Sequence, residues 1–250
     1  MIILKSDAEI DLMRKAGKLA ADLLDMIEPH VVPGVTTQEL NDLCHDYTVK
    51  AGARSAPLNY QGFPKSICTS VNHVVCHGIP NTKDKLKDGD IINIDVTPVL
   101  NEYHGDTSRT FLVGNVAPKA RHLVQVTREC LYKGIEAVHA GARVGDIGAA
   151  IQEHAHENGY SVVKEFVGHG IGKIFHEDPQ IQHFGDRGKG IRIEPGMTFT
   201  IEPMINMGHW KTKVLSDGWT AVTVDRSLSA QFEHTLAICN DGTVEVLTVS

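Results

Sequence analysis

The chain has 250 residues, 42% hydrophobic and 22% charged, the proportions of a soluble globular protein with one domain or two halves around one core. Its 24 Lys and Arg are outnumbered by 31 Asp and Glu, and a net charge of -7 speaks against a general nucleic-acid binder. No apolar stretch reaches the roughly 20 residues of a membrane helix, so a membrane role is set aside.

Ser6 with Glu9 forms a capping box that opens an amphipathic helix. Ile10, Met13, Leu19, Leu23, Leu24 and Ile27 share its apolar face up to about Glu28. The charged first turns carry no secretory signal. Pro33-Gly34 breaks the chain, and Thr36 with Glu39 opens a second helix ending at Gly52. Strand-like runs follow, clearest at 91–97 and 109–113. Helical periodicity returns over about 118–139 and 145–158. Strands resume at 197–203, 219–224, 231–238 and 243–249. Five widely spaced cysteines (Cys44, Cys68, Cys76, Cys130, Cys239) include no CxxC pair, which predicts reduced thiols in the cytosol rather than a disulfide framework.

The order helix, helix, strands occurs twice, which points to an internal repeat. Gly34 and Gly141 precede the second helix of each half, Gly52 and Gly159 end it, and Gly89 and Gly196 form the turn before a strand. Each pair is offset by 107 residues, and the same offset lays Ile92, Ile94 and Asp95 on Phe199, Ile201 and Glu202. The expected architecture is α+β: one catalytic domain, 1–250, of two pseudo-symmetric halves, about 1–115 and 116–250. Antiparallel sheets would lie inside and helices outside, with one carboxylate from each half meeting between them.

Strands alternate their faces. Asn93, Asp95 and Thr97 share a face opposite Ile92, Ile94 and Val96; Thr198, Thr200 and Glu202 lie opposite Phe199 and Ile201; Gln231, Glu233 and Thr235 alternate with Phe232, His234 and Leu236. A wet polar face is the ordinary reading, but runs this rich in β-branched and aromatic residues sit inside sheets. No Lys or Arg lies in IINIDVTP or MTFTIEPM to pair with a buried acid. Asp106 follows Asp95 at a distance suited to a return strand, with Arg109 its nearest cation in sequence. Asp95, Asp106, Glu202 and Glu233 together would carry four negative charges, which two divalent cations neutralise. Mostly oxygen donors with one imidazole suit Mn²⁺, Fe²⁺, Co²⁺ or Zn²⁺.

His77 in VVCHGIP and His169 in FVGHGIG share the pattern hydrophobe, small, His, Gly, Ile, and His176 follows in FHEDP. Glycine beside each would let backbone approach a ligand closely. The spacing is not that of a helical HExxH zinc site. His30, His122, His139, His154 and His156 lie in helical or polar stretches and are read as surface residues.

At these residues the sequence resembles type I methionine aminopeptidases, a family of the pita-bread metallopeptidase fold. The resemblance runs end to end, through YQGFPKSICTSVNHVVCHGIP (60–80), DGDIINIDVT (88–97), YHGDTSRTF (103–111), GHGIGKIFHEDPQI (168–181), GMTFTIEPM (196–204) and DGWTAVTVDRSLSAQFEHT (217–235). It implies a pair of divalent ions held by Asp95, Asp106, His169, Glu202 and Glu233, with Asp106 and Glu233 bridging. It implies that His77 and His176 touch substrate and transition state and that Glu202 accepts a proton. A methionine side-chain pocket would be lined by Tyr60, Phe63, Cys68, Phe175 and Trp219.

The implied reaction is removal of the N-terminal methionine from nascent proteins when the second residue is small. The physiological ion would be Co, Mn, Fe or Zn. The resemblance further implies a cytoplasmic monomer whose substrates are nascent polypeptide N-termini, with transient ribosome contact and no nucleic-acid substrate; Lys211 and Lys213 beside Trp210 are the candidate basic patch. Gln61, Phe63, Pro57, His73 and Phe184 depart from residues frequent in the family and bear on substrate preference. The chain shows neither a zinc-binding N-terminal extension nor the insertion of type II enzymes, and so resembles the minimal bacterial or organellar form. Rival readings are a proline-specific peptidase of the same fold and a non-catalytic binding protein built on it.

Overall fold

In the computed structural model, which describes residues 1–250, helix α1 spans Asp7–Ile27 and α2 spans Thr37–Lys50. Their capping boxes form as the sequence predicts. The Ser6 amide and hydroxyl donate to Glu9 at 2.9 Å each, and the Thr36 hydroxyl accepts from the Glu39 amide at 3.1 Å. Helix α3 covers Pro118–Glu136, stopping short of His139 as the chain turns toward Gly141; α4 covers Val144–Glu157.

The six glycines of the repeat have matching backbone. Gly34 and Gly141 have φ of 97° and 94°, Gly52 and Gly159 of 74° and 77°, and Gly89 and Gly196 of 94° and 86°. All six occupy the region where a Cβ is penalised, so glycine is the residue those turns require.

Strand Ile91–Val96 lies between Cys68–Val71 and Thr107–Leu112, antiparallel to both. In the second half, Thr198–Ile201 lies between Gly168–Gly170 and His234–Ile238, again antiparallel to both, with Glu177–Ile181 and Val244–Val246 outermost. Ile92, Ile94 and Phe111 pack with Leu23, Leu24, Ile27 and Leu40 of α1 and α2. Phe199, Ile201 and Leu236 pack with Leu123, Leu131, Ile147 and Ile151 of α3 and α4. Each such side chain stabilises by about 1.5–3 kcal/mol on leaving water. That apolar backing also sets the register, because a slip of one residue would turn Asp95 into the core and Ile94 toward the other sheet.

Two predicted strands are interrupted. The run 197–203 ends at Ile201 and restarts as Met204–Asn206 after Glu202-Pro203. The run 231–238 splits into Ser229–Gln231, which pairs with Met204–Asn206, and His234–Ile238, which pairs with Thr198–Ile201. Glu202 and Glu233 therefore sit where the chain leaves one sheet for another, so the period of two does not run through them. The halves are stitched together at this point. Asn93 Nδ2 donates to Gln231 O (2.9 Å), Thr107 Oγ1 to Glu233 O (2.6 Å) and Thr235 Oγ1 to Asp106 O (2.8 Å). No helix is long and apolar enough to cross a membrane.

Candidate metal centre and substrate cleft

Along the seam between the two sheets runs a cleft of about 170 Å³. All twelve residues singled out from the sequence line it: Asp95, Asp106, His169, Glu202 and Glu233; His77 and His176; Tyr60, Phe63, Cys68, Phe175 and Trp219. Its lining contains no Lys or Arg. A larger groove of about 890 Å³ between α1 and α3, bordered by Arg109, Arg121 and Arg128, contains none of the four acids or His169.

Asp95 is the penultimate residue of its strand, opposite Cys68 on one side and Ser108 on the other. Its Oδ1 is buried without a hydrogen-bond partner. Burial raises its pKa to about 7. Asp106 precedes Thr107–Leu112 and accepts at Oδ1 from Thr97 Oγ1 (2.7 Å). It does not pair with Arg109, whose guanidinium is held by Asp25 (2.9 Å) and Glu28 (3.2 Å) on the outer face of the strand. Glu202 accepts from Thr200 Oγ1 (2.8 Å) and Gln231 Nε2 (3.3 Å). Burial first, and then the neighbouring carboxylates, holds Asp106, Glu202 and Glu233 well above the ordinary range.

His169 donates through Nδ1 to Gly170 O at 3.0 Å, which leaves a lone pair on Nε2. That lone pair faces Asp106 Oδ2 at 3.6 Å and Glu202 Oε1 at 3.7 Å. These are not ion pairs at neutral pH, because burial lowers the His169 pKa to about 4. Acceptors thus face acceptors across a gap too long for a hydrogen bond. Donor atoms of Asp106, His169 and Glu233 all lie within 4.8 Å of one another. A buried orphan oxygen, clustered carboxylates without a cationic side chain and a bare imidazole lone pair fit divalent cations, since buried charge needs a partner or a metal.

His77 sits in left-handed backbone (φ 57°), its ring edge-on to Phe166 at 5.5 Å and to Trp219 at 6.3 Å. The glycines beside the histidines serve backbone packing rather than ligand approach: a Cβ on Gly78 would lie 2.0 Å from Thr69 O, one on Gly168 2.4 Å from Thr200 O, and one on Gly170 2.1 Å from Asp178 O. His176 Nδ1 is 2.8 Å from the Tyr60 hydroxyl, and its ring stacks on Phe175 with centroids 4.1 Å apart. Although its outer edge is exposed, desolvation among these rings and three neighbouring imidazoles lowers its pKa to about 3. Phe63 meets Trp219 edge-on at 5.2 Å, and Tyr60 meets Phe175 at 5.0 Å. With Cys68 and Met204 they form an apolar, sulfur-containing recess beside the acids.

Sequence reading passed over several lining or supporting residues. Thr97 and Gln231 carried a signal, since they share the polar faces of Asp95 and Glu233. Cys76, Phe166 and Met204 look like ordinary core residues in the sequence. His104 and His183 are buried at 4% and 0% exposure, and nothing in their local sequence sets them apart from a surface histidine. His30, His122, His139 and His156 are exposed and His154 is half-buried, paired with Glu129 at 2.8 Å.

The model of metallopeptidase family M24 matches residues 11–240. Methionine aminopeptidase A of Synechocystis sp. is 62% identical over 248 residues, covering 99% of this chain and 98% of that protein. The methionine aminopeptidase of Escherichia coli (strain K12) is 50% identical over 249 residues, covering 99% and 94%. The crystal structure of methionine aminopeptidase from Rickettsia prowazekii superposes with a TM-score of 0.97 at 54% identity, covering both chains completely. Prolidase from Pyrococcus furiosus, at 22% identity and TM-score 0.79, shares the fold over 99% of this chain and 66% of that one. The α+β pita-bread architecture expected from the sequence is the fold of these structures.

Proposed function

Because the chain belongs to metallopeptidase family M24, we propose that it removes the N-terminal methionine from nascent polypeptides whose second residue is small. The observation that carries this reading is the joining of the buried, cation-free acid cluster to an aromatic, sulfur-lined recess in one cleft. An exopeptidase for methionine needs both: a charged centre at the first peptide bond and an apolar pocket one side chain deep.

Asp95, Asp106, His169, Glu202 and Glu233 would hold two divalent ions, Co, Mn, Fe or Zn. Bound there, such ions acidify water and polarise a carbonyl oxygen. Glu202 accepts the proton as water attacks, its carboxylate oriented by Thr200 Oγ1 and Gln231 Nε2. His176, with Nδ1 taken by the Tyr60 hydroxyl, presents Nε2–H to the scissile carbonyl oxygen and to the oxyanion that follows. His77 contacts the scissile nitrogen and helps the amine leave. Tyr60, Phe63, Cys68, Phe175 and Trp219 enclose the methionine side chain, with rings and sulfur against the thioether. The chain acts as one catalytic unit of two halves, about 1–115 and 116–250, since each half supplies acids to the cluster.

The protein works in the cytoplasm as a monomer; five free cysteines, four of them buried, fit a reducing compartment. Contact with the ribosome falls to Lys211 and Lys213, exposed beside Trp210. The test is release of methionine from Met-Ala-Ser, but not proline from Pro-Ala-Ser, by metal-stripped protein resupplied with Mn²⁺, Co²⁺, Fe²⁺ or Zn²⁺. Failure on Met-Ala-Ser with every ion, while metal still binds, would refute the reading.

A further inference from the structure

Glu202 stands at a break in the backbone ladder. Strand Thr198–Ile201 ends one residue before it, and Pro203, one residue after, has no N–H. The Glu202 amide is left without a strand partner, and a buried N–H without one is costly. Its partner is a side chain: the amide donates to His183 Nε2 at 3.0 Å. His183 lies just beyond strand Glu177–Ile181 and is fully buried.

We propose that His183 is a positioning residue for the reaction, accepting the Glu202 amide proton through Nε2 and so fixing the direction in which the Glu202 carboxylate enters the cleft. The inference rests on Glu202 being the proton acceptor and metal ligand described above. The geometry is asymmetric. Thr200 Oγ1 and Gln231 Nε2 hold the carboxylate oxygens, at 2.8 and 3.3 Å, whereas His183 alone among side chains holds the backbone from which they project. An imidazole accepts only at a bare nitrogen, so the proton of His183 lies on Nδ1. That atom is buried without a hydrogen-bond partner. Were His183 needed only to fill space, an aliphatic side chain would do so without an orphaned N–H. What the imidazole adds is the Nε2 acceptor. A protonated ring would set N–H against N–H, so the 3.0 Å contact requires the neutral form.

Two substitutions separate the acceptor from the volume. His183→Gln places an amide oxygen near the position of Nε2, and His183→Met keeps the bulk without an acceptor. In the Met variant kcat on Met-Ala-Ser and affinity for Mn²⁺ should each fall about 10–100-fold, the usual effect of losing a group that orients a metal ligand, with KM nearly unchanged. The Gln variant should recover most of both. A third measurement needs no variant to fold or turn over: ¹⁵N–¹H spectra of histidine-labelled wild-type protein, zinc-loaded and metal-free, should show the His183 proton on Nδ1. Equal impairment of the Gln and Met variants, wild-type kcat and Mn²⁺ affinity in the Met variant, or a proton on Nε2 would each overturn the inference. Loss of methionine release in wild-type protein would instead refute the proposed function, and the metal affinities and the tautomer would still report on His183.

Discussion

The Tyr60 hydroxyl and His176 Nδ1 are 2.8 Å apart, so a residue of the apolar recess is joined directly to the histidine proposed to hold the oxyanion. With the pKa of His176 lowered to about 3, the ring is neutral at pH 7 and carries a single proton. A hydroxyl donating to Nδ1 puts that proton on Nε2, where it can be offered to an oxyanion. In Tyr60→Phe the other tautomer becomes accessible. Losing one neutral hydrogen bond of about 1 kcal/mol should lower kcat about 5- to 10-fold. His176→Ala, which removes the donor itself, should lower it about 10²–10³-fold. Equal losses in the two variants would show that Tyr60 acts as a ligand in its own right.

Lys5 and Glu177 form an ion pair with only 3% of each side chain exposed. The pair ties the N-terminal arm to the segment that carries Phe175 and His176. Lys5→Met leaves the Glu177 carboxylate buried and unpaired, at a cost of about 3–5 kcal/mol. Adding Glu177→Gln should recover most of that stability. Urea unfolding of the single and double variants checks both statements, and a double variant no more stable than the single one contradicts them.

The acid cluster makes metal-free stability fall with rising pH. Asp95, Asp106, Glu202 and Glu233 have raised pKa values in the folded chain, so they bind protons more tightly folded than unfolded. Stability they contribute is complete below the ordinary carboxylate range near about 4 and is lost as pH rises through about 7 and beyond. His169, His176 and His183, lowered to about 4, 3 and 3, act oppositely, with stability gained as pH rises to about 6.5. Metal needs the acids ionised and so displaces their protons. The rise in melting temperature caused by Mn²⁺ should therefore be larger at pH 8 than at pH 6. Titration calorimetry in two buffers should show proton release at pH 6. A rise independent of pH argues against protonated acids in the metal-free cluster.

Gly78 tests the backbone beneath His77. A methyl group there would meet Thr69 O at 2.0 Å, a backbone atom with little room to move, and the Val74 side chain at 3.3 Å. Gly78→Ala should destabilise by about 1–3 kcal/mol, as overpacking does, and lower kcat by shifting His77. Gly34→Ala, in left-handed backbone with open space around it, should cost stability alone and leave kcat unchanged. Melting curves and turnover of the two variants, measured together, separate strain from displacement of His77.

Much of this was legible in the residues. The glycine pairs marked the repeat, and their φ values agree within about ten degrees because turns of one shape need the same conformation. Asp95 and Glu202 stood out because apolar periodicity placed them on strand-like runs with no Lys or Arg. Less legible were the points where strands change sheets. The runs through Glu202 and Glu233 read as continuous because period-two patterning is local and cannot record which partner each segment meets. The sequence neighbour Arg109 suggested a partner for Asp106, yet strand pleating sends it to α1 and its flanking turn, where Asp25 and Glu28 hold it.

Helix caps, glycine turns and the period of the apolar residues were enough to read the repeated order of helices and strands and to put Asp95 and Glu202 on polar strand faces, because those signals act over a few positions. The pita-bread fold and the expected ligand set came from the family resemblance. Which acceptors would face each other across a gap, which tyrosine would orient His176 and which histidine would hold the Glu202 amide depended on segments separated by up to 116 residues in the chain meeting at the seam. Such contacts are decided by packing of the two sheets against their helices, and no local pattern encodes them.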